Sequence, residues 1–222
     1  MRTLAIGDIH GCFTALQTLV AFAKITHEDI LNTIGDYVDR GPDSRSVIDW
    51  LIHRQEKGKL IALKGNHELM MIESRQDHKY LDDWSTFGGK ETLASYTNEG
   101  KVVIPARHWT FIEDETLPYY ETETHFFVHA NVQHDLSLED QRDYELYWDK
   151  FDKALTRPHV SGKIMVCGHT PQREGLPVHH GHAICIDTWA YKGYWLTCLD
   201  VATGQYWQAN EQAETREGWI SG

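Results

Sequence analysis

Five short apolar runs in this chain each end on a residue able to hold a cation, and that pattern restricts the fold more than anything else in it. "TLAI" (3–6) runs into Gly7-Asp8-Ile9-His10-Gly11, and "LNTI" (31–34) into Gly35-Asp36-Tyr37-Val38-Asp39-Arg40-Gly41. "LIALK" (60–64) runs into Gly65-Asn66-His67-Glu68, "FFV" (126–128) into His129-Ala130-Asn131, and "IMVC" (164–167) into Gly168-His169-Thr170. Short apolar runs of this kind read as buried strands. In open α/β sheets the carboxyl ends of such strands face the binding crevice. Four of the five clusters carry an adjacent glycine, which lets the backbone turn sharply. A single cluster would be unremarkable, whereas five in order require a common site.

The segments between the runs support an α/β (α+β) fold. "TALQTLVAFAKI" (14–25) has apolar residues at helical spacing, and "DILNTI" (29–34) reads as a strand. Residues 43–58 read as a helix with Asp43 or Ser44 as N-cap and Gly58 just past its end, followed by a strand at 59–63 and a helix from 67 to 75. Strand–helix alternation predicts βαβ units and a parallel sheet. Residues 76–116 break the alternation and read as an insertion packed on the core, either beside the substrate or as a plain stabilising subdomain, partly helical around a glycine pair and weighted by Trp84, Tyr96 and Trp109. Beyond it, 117–130 reads as two strands and a turn, 139–155 as helix and 163–168 as strand. Residues 182–187 and 193–201 read as an antiparallel finish with no helix between them. One domain over 1–207 is expected, with a frayed polar tail at 208–222.

Composition narrows the partners. The 222 residues carry a net charge of −12, which argues against a nucleic-acid surface and leaves room for a local cationic site. The four cysteines show no CxxC spacing and read as reduced, buried thiols. Met1 leads almost directly into "TLAIGD", with no charged-then-apolar leader and no run of about eighteen apolar residues. A cytoplasmic protein without membrane partners is therefore expected.

Carboxylate, amide and imidazole donors without thiolates suit a divalent ion such as Mn²⁺, Fe²⁺ or Zn²⁺. Asp8 and His10 are two apart, so in an extended segment they face the same side and can share one ion. The donors outnumber the needs of one ion, and a carboxylate shared between two accounts for the excess. Asp36, which leads the turn between the two donor groups, is the natural bridge. Adjacent residues leaving a strand point to opposite sides, so His67 is expected to reach across the crevice, away from the ions bound by Asn66.

"GDIHG", "GDYVDRG" and "GNHE", with the later "FVHA" and "CGHTP", resemble in order and spacing the signatures of the bacterial and phage branch of the phosphoprotein phosphatase family of metallophosphoesterases. The resemblance spans about Leu4 to Asp187. It implies a β-sandwich flanked by helices around a dimetal centre at strand carboxyl ends, with Mn²⁺ the leading ion. Asp8, His10 and Asp36 would hold the first ion; Asp36, Asn66, His129 and His169 would hold the second. It also implies direct attack on phosphorus by a metal-bound hydroxide, with His67 paired to Asp39 as general acid and Arg40 gripping the phosphoryl oxygens. The expected activity is a phosphatase acting on phosphoserine, phosphothreonine or phosphotyrosine in proteins or small phosphoesters. A symmetrical dinucleoside tetraphosphatase and a catalytically silent metal-binding scaffold are the alternatives.

The chain departs from the family pattern in three places, the smallest being Ala130 where the family often has glycine after the histidine at 129. Where a second phosphate-binding arginine usually follows Trp-Asn, this sequence reads Trp148-Asp149-Lys150, so Lys150 is the candidate replacement without bidentate geometry. "IDTW" replaces "IDTG", so Trp189 is read first as an ordinary packed tryptophan and otherwise as a bulky residue near the mouth of the site that narrows substrate choice. His179, His180 and His182 form a further cluster in "PVHHGHA".

Overall fold

The three β-branched or leucine-rich runs at the start of the chain pair side by side because each is short, apolar and followed by a glycine turn and a helix. The computed structural model describes residues 1–220. Strands β1 (Thr3–Ile6), β2 (Ile30–Thr33) and β3 (Lys59–Ala62) are parallel and joined through helices α1 (Phe13–Phe22) and α2 (Ser44–Lys57), as the alternation predicts. Helix α2 starts where Asp43 accepts a hydrogen bond from the Ser46 N–H at 3.0 Å, and Val47, Ile48, Leu51 and Ile52 form its buried stripe. Gly58 follows it in extended conformation. Helix α3 (Asn66–Glu73) begins directly at the "GNHE" turn.

The insertion contains helices α4 (His78–Trp84) and α5 (Lys90–Ser95), joined by a wide turn at Ser85–Gly89. A small hairpin of β4 (Thr97–Asn98) and β5 (Lys101–Val102) precedes helix α6 (Ala106–Thr110). Strands β6 (Tyr119–Glu121) and β7 (His125–Val128) are the two predicted for 117–130.

Helix over 139–155 is not what forms. A short turn at Leu138–Asp140 and helix α7 (Asp143–Tyr147) are its only helical parts. After Tyr147 the backbone is drawn to tertiary partners. The Lys150 carbonyl accepts from Asn131, the Phe151 N–H donates to the Thr170 hydroxyl, and the Trp148 carbonyl meets the His169 ring. Strand β8 (Ile164–Cys167) follows, then β9 (Val178–His179) and β10 (Ala183–Cys185).

The finish also differs from expectation. A single 3₁₀ turn at Ala190–Lys192 separates β10 from β11 (Leu196–Asp200), and these two strands belong to different sheets. The tail is not frayed over the described residues. Strands β12 (Gln205–Ala209) and β13 (Thr215–Trp219) extend the first sheet antiparallel to β11, and only 221–222 lie outside the described residues. "QYWQA" looks polar, yet the buried Gln208 amide donates to the Thr197 hydroxyl at 2.7 Å and the Gly175 carbonyl at 2.9 Å, while Ala209 is fully buried. Satisfying an amide internally makes a glutamine as acceptable in a core strand as an apolar residue.

Two sheets result, in the orders β13-β12-β11-β1-β2-β3 and β6-β7-β8-β10-β9. Ala5, Ile34, Leu63 and Leu199 of the first meet Phe127, Val166, Ile184 and Ile186 of the second. The outer face of the first sheet carries Leu4 and Ile6 against α1 and α2, and Phe126 and Val128 of the second pack on Leu138, Leu146 and Tyr147. This is a β-sandwich flanked by helices, with alternate side chains serving alternate layers. All four cysteines are buried free thiols. No helix among the described residues is long and apolar enough to cross a membrane.

Candidate metal centre and catalytic site

The carboxyl ends of β1, β2, β7 and β8, with the start of α3, meet at one end of the sandwich. There the backbone is unusually strained. His10, Asp36, Asp39, Arg40 and His169 all adopt left-handed φ, between 46° and 74°. Such conformations cost roughly 1 kcal/mol or more each outside glycine and persist only where surrounding bonds over-determine them. Two glycines are needed beside them: a Cβ at Gly65 would lie 2.3 Å from Asp36 Oδ1, and one at Gly168 would lie 2.0 Å from Asp8 Oδ1.

Glu68 supplies much of the restraint. Its fully buried carboxylate accepts the backbone N–H groups of Asp36 and Tyr37 at 2.8 Å each, of Gly65 at 2.9 Å and of Val38 at 3.3 Å. The Asp36 carboxylate is thereby aimed at the histidines. Its Oδ2 lies 3.3 Å from His10 Nε2 and 3.9 Å from His67 Nε2, and its Oδ1 lies 3.4 Å from His129 Nε2. Asn66 Oδ1 is 3.0 Å from both His129 Nε2 and His169 Nδ1. Among the described residues the groups whose donor atoms converge are His10–Asp36–His67 and Asp36–His129–His169. Asp36 is common to both.

The donor set fits divalent ions. Backbone carbonyls of Val38 and Ile34 accept from Nδ1 of His10 and His129, at 2.9 and 2.7 Å, which leaves each Nε2 lone pair facing Asp36. Burial lowers the pKa of His10, His129 and His169, favouring the neutral ring a metal requires. Burial, then Asp187 and Asp36, raises the Asp8 carboxyl well above its usual range, and burial pushes Asp187 up to about 7. Clustered buried carboxyls of this kind are relieved by a cation.

Asp8 stands slightly apart from the expected first-ion set. Both its oxygens accept the His169 N–H, at 3.0 and 3.2 Å, tying β1 to the loop after β8. His67, in turn, lies closer to the cluster than strand alternation predicts. Asn66 and His67 open a helix, where neighbours are about 100° apart rather than 180°. His67 Nδ1 is 2.6 Å from Asp39 Oδ2, and its ring packs edge-on to His10. Burial opposes charge on His67, yet Asp36 and the bond to Asp39 outweigh it and raise its pKa. His67 is the one imidazole of the cluster biased toward the charged form.

Arg40 reaches His10 Nε2 at 3.2 Å and lies over the face of Tyr191, 4.5 Å from the ring centroid. Tyr191 also packs against His10, and its hydroxyl accepts from the Trp189 indole N–H at 2.9 Å. Trp189, itself at φ 65°, thus reaches the site through Tyr191. A cleft of about 620 Å³ opens from Arg40, lined by Phe87, Lys90, Tyr191 and Lys192 among others. Lys150 is exposed and lines a different cavity of about 210 Å³, with Asn131, His134 and His182, that Arg40 does not share. His180 and His182 meet edge to face at 5.6 Å, and among the described residues no metal-ligating group converges on them.

Sequence reasoning gave no role at the site to Glu68, Asp187, Tyr191, Trp84 or Thr92. Glu68 was visible inside "GNHE", where its fixed place beside Asn66 and His67 was the signal. Trp84 and Thr92 lie 45 and 53 residues from the Asp39 they touch, with no local pattern to mark them.

Residues 1–195 match the family model described as calcineurin-like phosphoesterase. The chain is 29% identical over 202 residues to serine/threonine-protein phosphatase 1 of Salmonella typhimurium, covering 86% of this chain and 88% of that one. It is 31% identical over 224 residues to the asymmetrical bis(5'-nucleosyl)-tetraphosphatase PrpE of Oceanobacillus iheyensis, covering 89% and 87%. A solved structure of a candidate diadenosine tetraphosphatase superposes with a TM-score of 0.70 at 18% identity, over 99% of this chain and 94% of that one. With its sandwich, its strand-end cluster and a family match over nearly its whole length, this chain belongs to the calcineurin-like phosphoesterases.

Proposed function

We propose that the protein is a metal-dependent phosphomonoesterase acting on phosphoserine and phosphothreonine, with phosphotyrosine also within its range. The observation that carries this reading is the buried His67–Asp39 pair, 2.6 Å apart, set beside the Asp36 cluster. A general acid is needed most when the leaving group is a poor one such as a serine alkoxide. Asp8, His10 and Asp36 are assigned to one ion, and Asp36, Asn66, His129 and His169 to a second. Mn²⁺ is the expected ion, with Fe²⁺ and Zn²⁺ compatible with the same donors. Two such ions supply an acidified water and charge neutralisation at the phosphoryl group.

The chain's own residues do the rest. The Arg40 guanidinium offers a planar fork to the phosphoryl oxygens. Asp39 accepts from His67 Nδ1 and so stabilises the imidazolium, whose Nε2 carries the transferable proton. As a water oxygen, its proton released to solvent, bonds to phosphorus and the ester P–O bond breaks, the electron pair stays with the leaving oxygen and the His67 Nε2 proton neutralises that oxygen. Asn66 and Lys150 are the remaining candidates for contact with substrate, and Lys150 has the weaker geometric support.

A second reading, hydrolysis of a dinucleoside polyphosphate, is favoured by the cleft beside Arg40. Lys90 and Lys192, offset in part by Glu91, add positive charge beside Arg40, and Phe87 and Tyr191 offer aromatic surface. A phosphate chain ending in a base would use both. The deciding experiment adds Mn²⁺ to metal-stripped protein and compares a phosphoserine peptide, p-nitrophenyl phosphate and diadenosine tetraphosphate. Efficient turnover of the first two supports the monoesterase. Turnover of diadenosine tetraphosphate alone, with a KM that rises in Lys90→Met and Lys192→Met variants, replaces it with the second reading.

A further inference from the structure

The insertion at 76–116 is the part of the chain that the five strand-end clusters leave without a role, and its contacts fall on two consecutive left-handed residues of the site. Asp39 and Arg40 have φ of 74° and 68° and follow one another in the chain. Consecutive left-handed residues do not hold themselves in place. Asp39 is fully buried, and both its carboxylate oxygens are bonded from the insertion. The Trp84 indole N–H donates to Oδ2 at 2.8 Å, the same oxygen that meets His67, and the Thr92 hydroxyl donates to Oδ1 at 2.7 Å. The Thr92 hydroxyl also receives the Asp39 backbone N–H at 2.8 Å, with the Ser44 hydroxyl beside it at 3.1 Å.

Arg40 is held by the turn between the same two helices. Its backbone N–H donates to the Gly88 carbonyl at 3.2 Å and its Nε to the Phe87 carbonyl at 3.4 Å. The glycine pair is what lets this turn approach. Gly88 has φ 114°, and a Cβ there would lie 2.7 Å from the Arg40 backbone; a Cβ at Gly89 would lie 2.5 Å from the Trp84 ring. Trp84 and Thr92 are themselves buried, at 2% and 0% exposure, so neither donor has water as an alternative partner.

We infer that Trp84–Thr92 is a positioning element for the chemistry: Trp84 and Thr92 orient Asp39, and through it the His67 proton, while the Gly88 turn orients Arg40. A carboxylate with both oxygens occupied by fixed donors cannot rotate, so the His67 ring it holds keeps one direction and its charged, doubly protonated form is favoured. Removing either donor frees Asp39 to turn away from His67. The inference rests on the phosphatase reading above, and the two fail differently.

The test uses the full-length, Mn²⁺-loaded protein with Trp84→Phe and Thr92→Val, which remove a donor and keep most of the volume. Thr97→Ala, on the same insertion but exposed and away from Asp39, is the control. With a phosphoserine peptide, turnover by each donor variant should fall about tenfold, a part of the 10²–10⁴-fold that a general acid contributes. With p-nitrophenyl phosphate, whose leaving group needs little protonation, the loss should stay below about threefold. Gly88→Ala should raise KM for both substrates alike, because it displaces Arg40 rather than His67. Equal losses with both substrates in the donor variants, or none, would overturn the inference while leaving the phosphatase reading intact. Wild-type protein inactive on both substrates would instead overturn that reading. Thermal unfolding of each variant separates misfolding from mispositioning, and Thr92→Val alone decides the matter if Trp84→Phe does not fold.

Discussion

Glu68→Gln tests whether a buried carboxylate, rather than the metal ligands themselves, holds the Asp36 turn in its strained form. Glutamine has the same shape but replaces one oxygen with an NH₂ group. Oε2 of Glu68 serves the N–H groups of Asp36 and Gly65, and Oε1 serves those of Tyr37 and Val38. Whichever way the amide is placed, two of these four N–H groups lose their acceptor and face another donor. Hydrogen bonds to a charged group contribute about 1.5–3 kcal/mol each, and a buried donor left unpaired loses its hydration as well. The summed effect is about 3–6 kcal/mol, a large fraction of the stability of a typical domain. For a chain of this size that lowers Tm by roughly 6–24 °C. The assay is urea or thermal unfolding of metal-free protein, with Glu68→Gln and wild type compared at one pH. A difference under about 1 kcal/mol would refute the idea that Glu68 carries the turn.

Asp36→Asn should lose at least one ion by elemental analysis, together with most activity; full occupancy of both sites would count against a bridging carboxylate. Arg40→Ala should keep its metal content, weaken inhibition by inorganic phosphate and lose on the order of 2–4 kcal/mol of transition-state stabilisation. His67→Asn should lose far more rate on a phosphoserine peptide than on p-nitrophenyl phosphate at unchanged metal content, and loss of an ion would make His67 a ligand instead. The last prediction concerns pH. Arg2 and the Thr26 N–H hold the Asp29 carboxyl below its usual 3.8. Its folded pKa is depressed, so its contribution, about 1–2 kcal/mol for a partly exposed charged pair, is present at neutral pH. That contribution disappears as pH falls below about 4. Asp29→Asn should therefore be less stable than wild type at pH 7 and converge with it in acid, as read by urea midpoints at several pH values.

The ends of the strands were legible in the sequence because strand burial and glycine turns are local. Four apolar residues followed by Gly-Asp or Gly-Asn mark where a chain stops being core and starts being site, and Asp8, His10, Asp36, Asn66, His129 and His169 all emerge at one end of the sandwich. The Asp39–His67 pair was readable only through the family resemblance carried by "GDYVDRG" and "GNHE", since nothing local places residues 28 apart in contact. Tertiary structure decided the rest. Helix failed beyond Tyr147 because distant partners, Asn131, Thr170 and His169, took the backbone groups that a helix would have used. The tail became two strands because β11 offered an open edge and Thr197 and Gly175 satisfied the buried Gln208. His67 moved toward the ion cluster because the first residues of α3 are helical, a change of about 80° in side-chain direction relative to a strand. The hold of Trp84 and Thr92 on Asp39 depends on hydrogen bonds across 45 and 53 residues, which no local pattern records. Sequence determines which atoms can do the chemistry; only the packing of separate segments determines which of them are held in place and aimed.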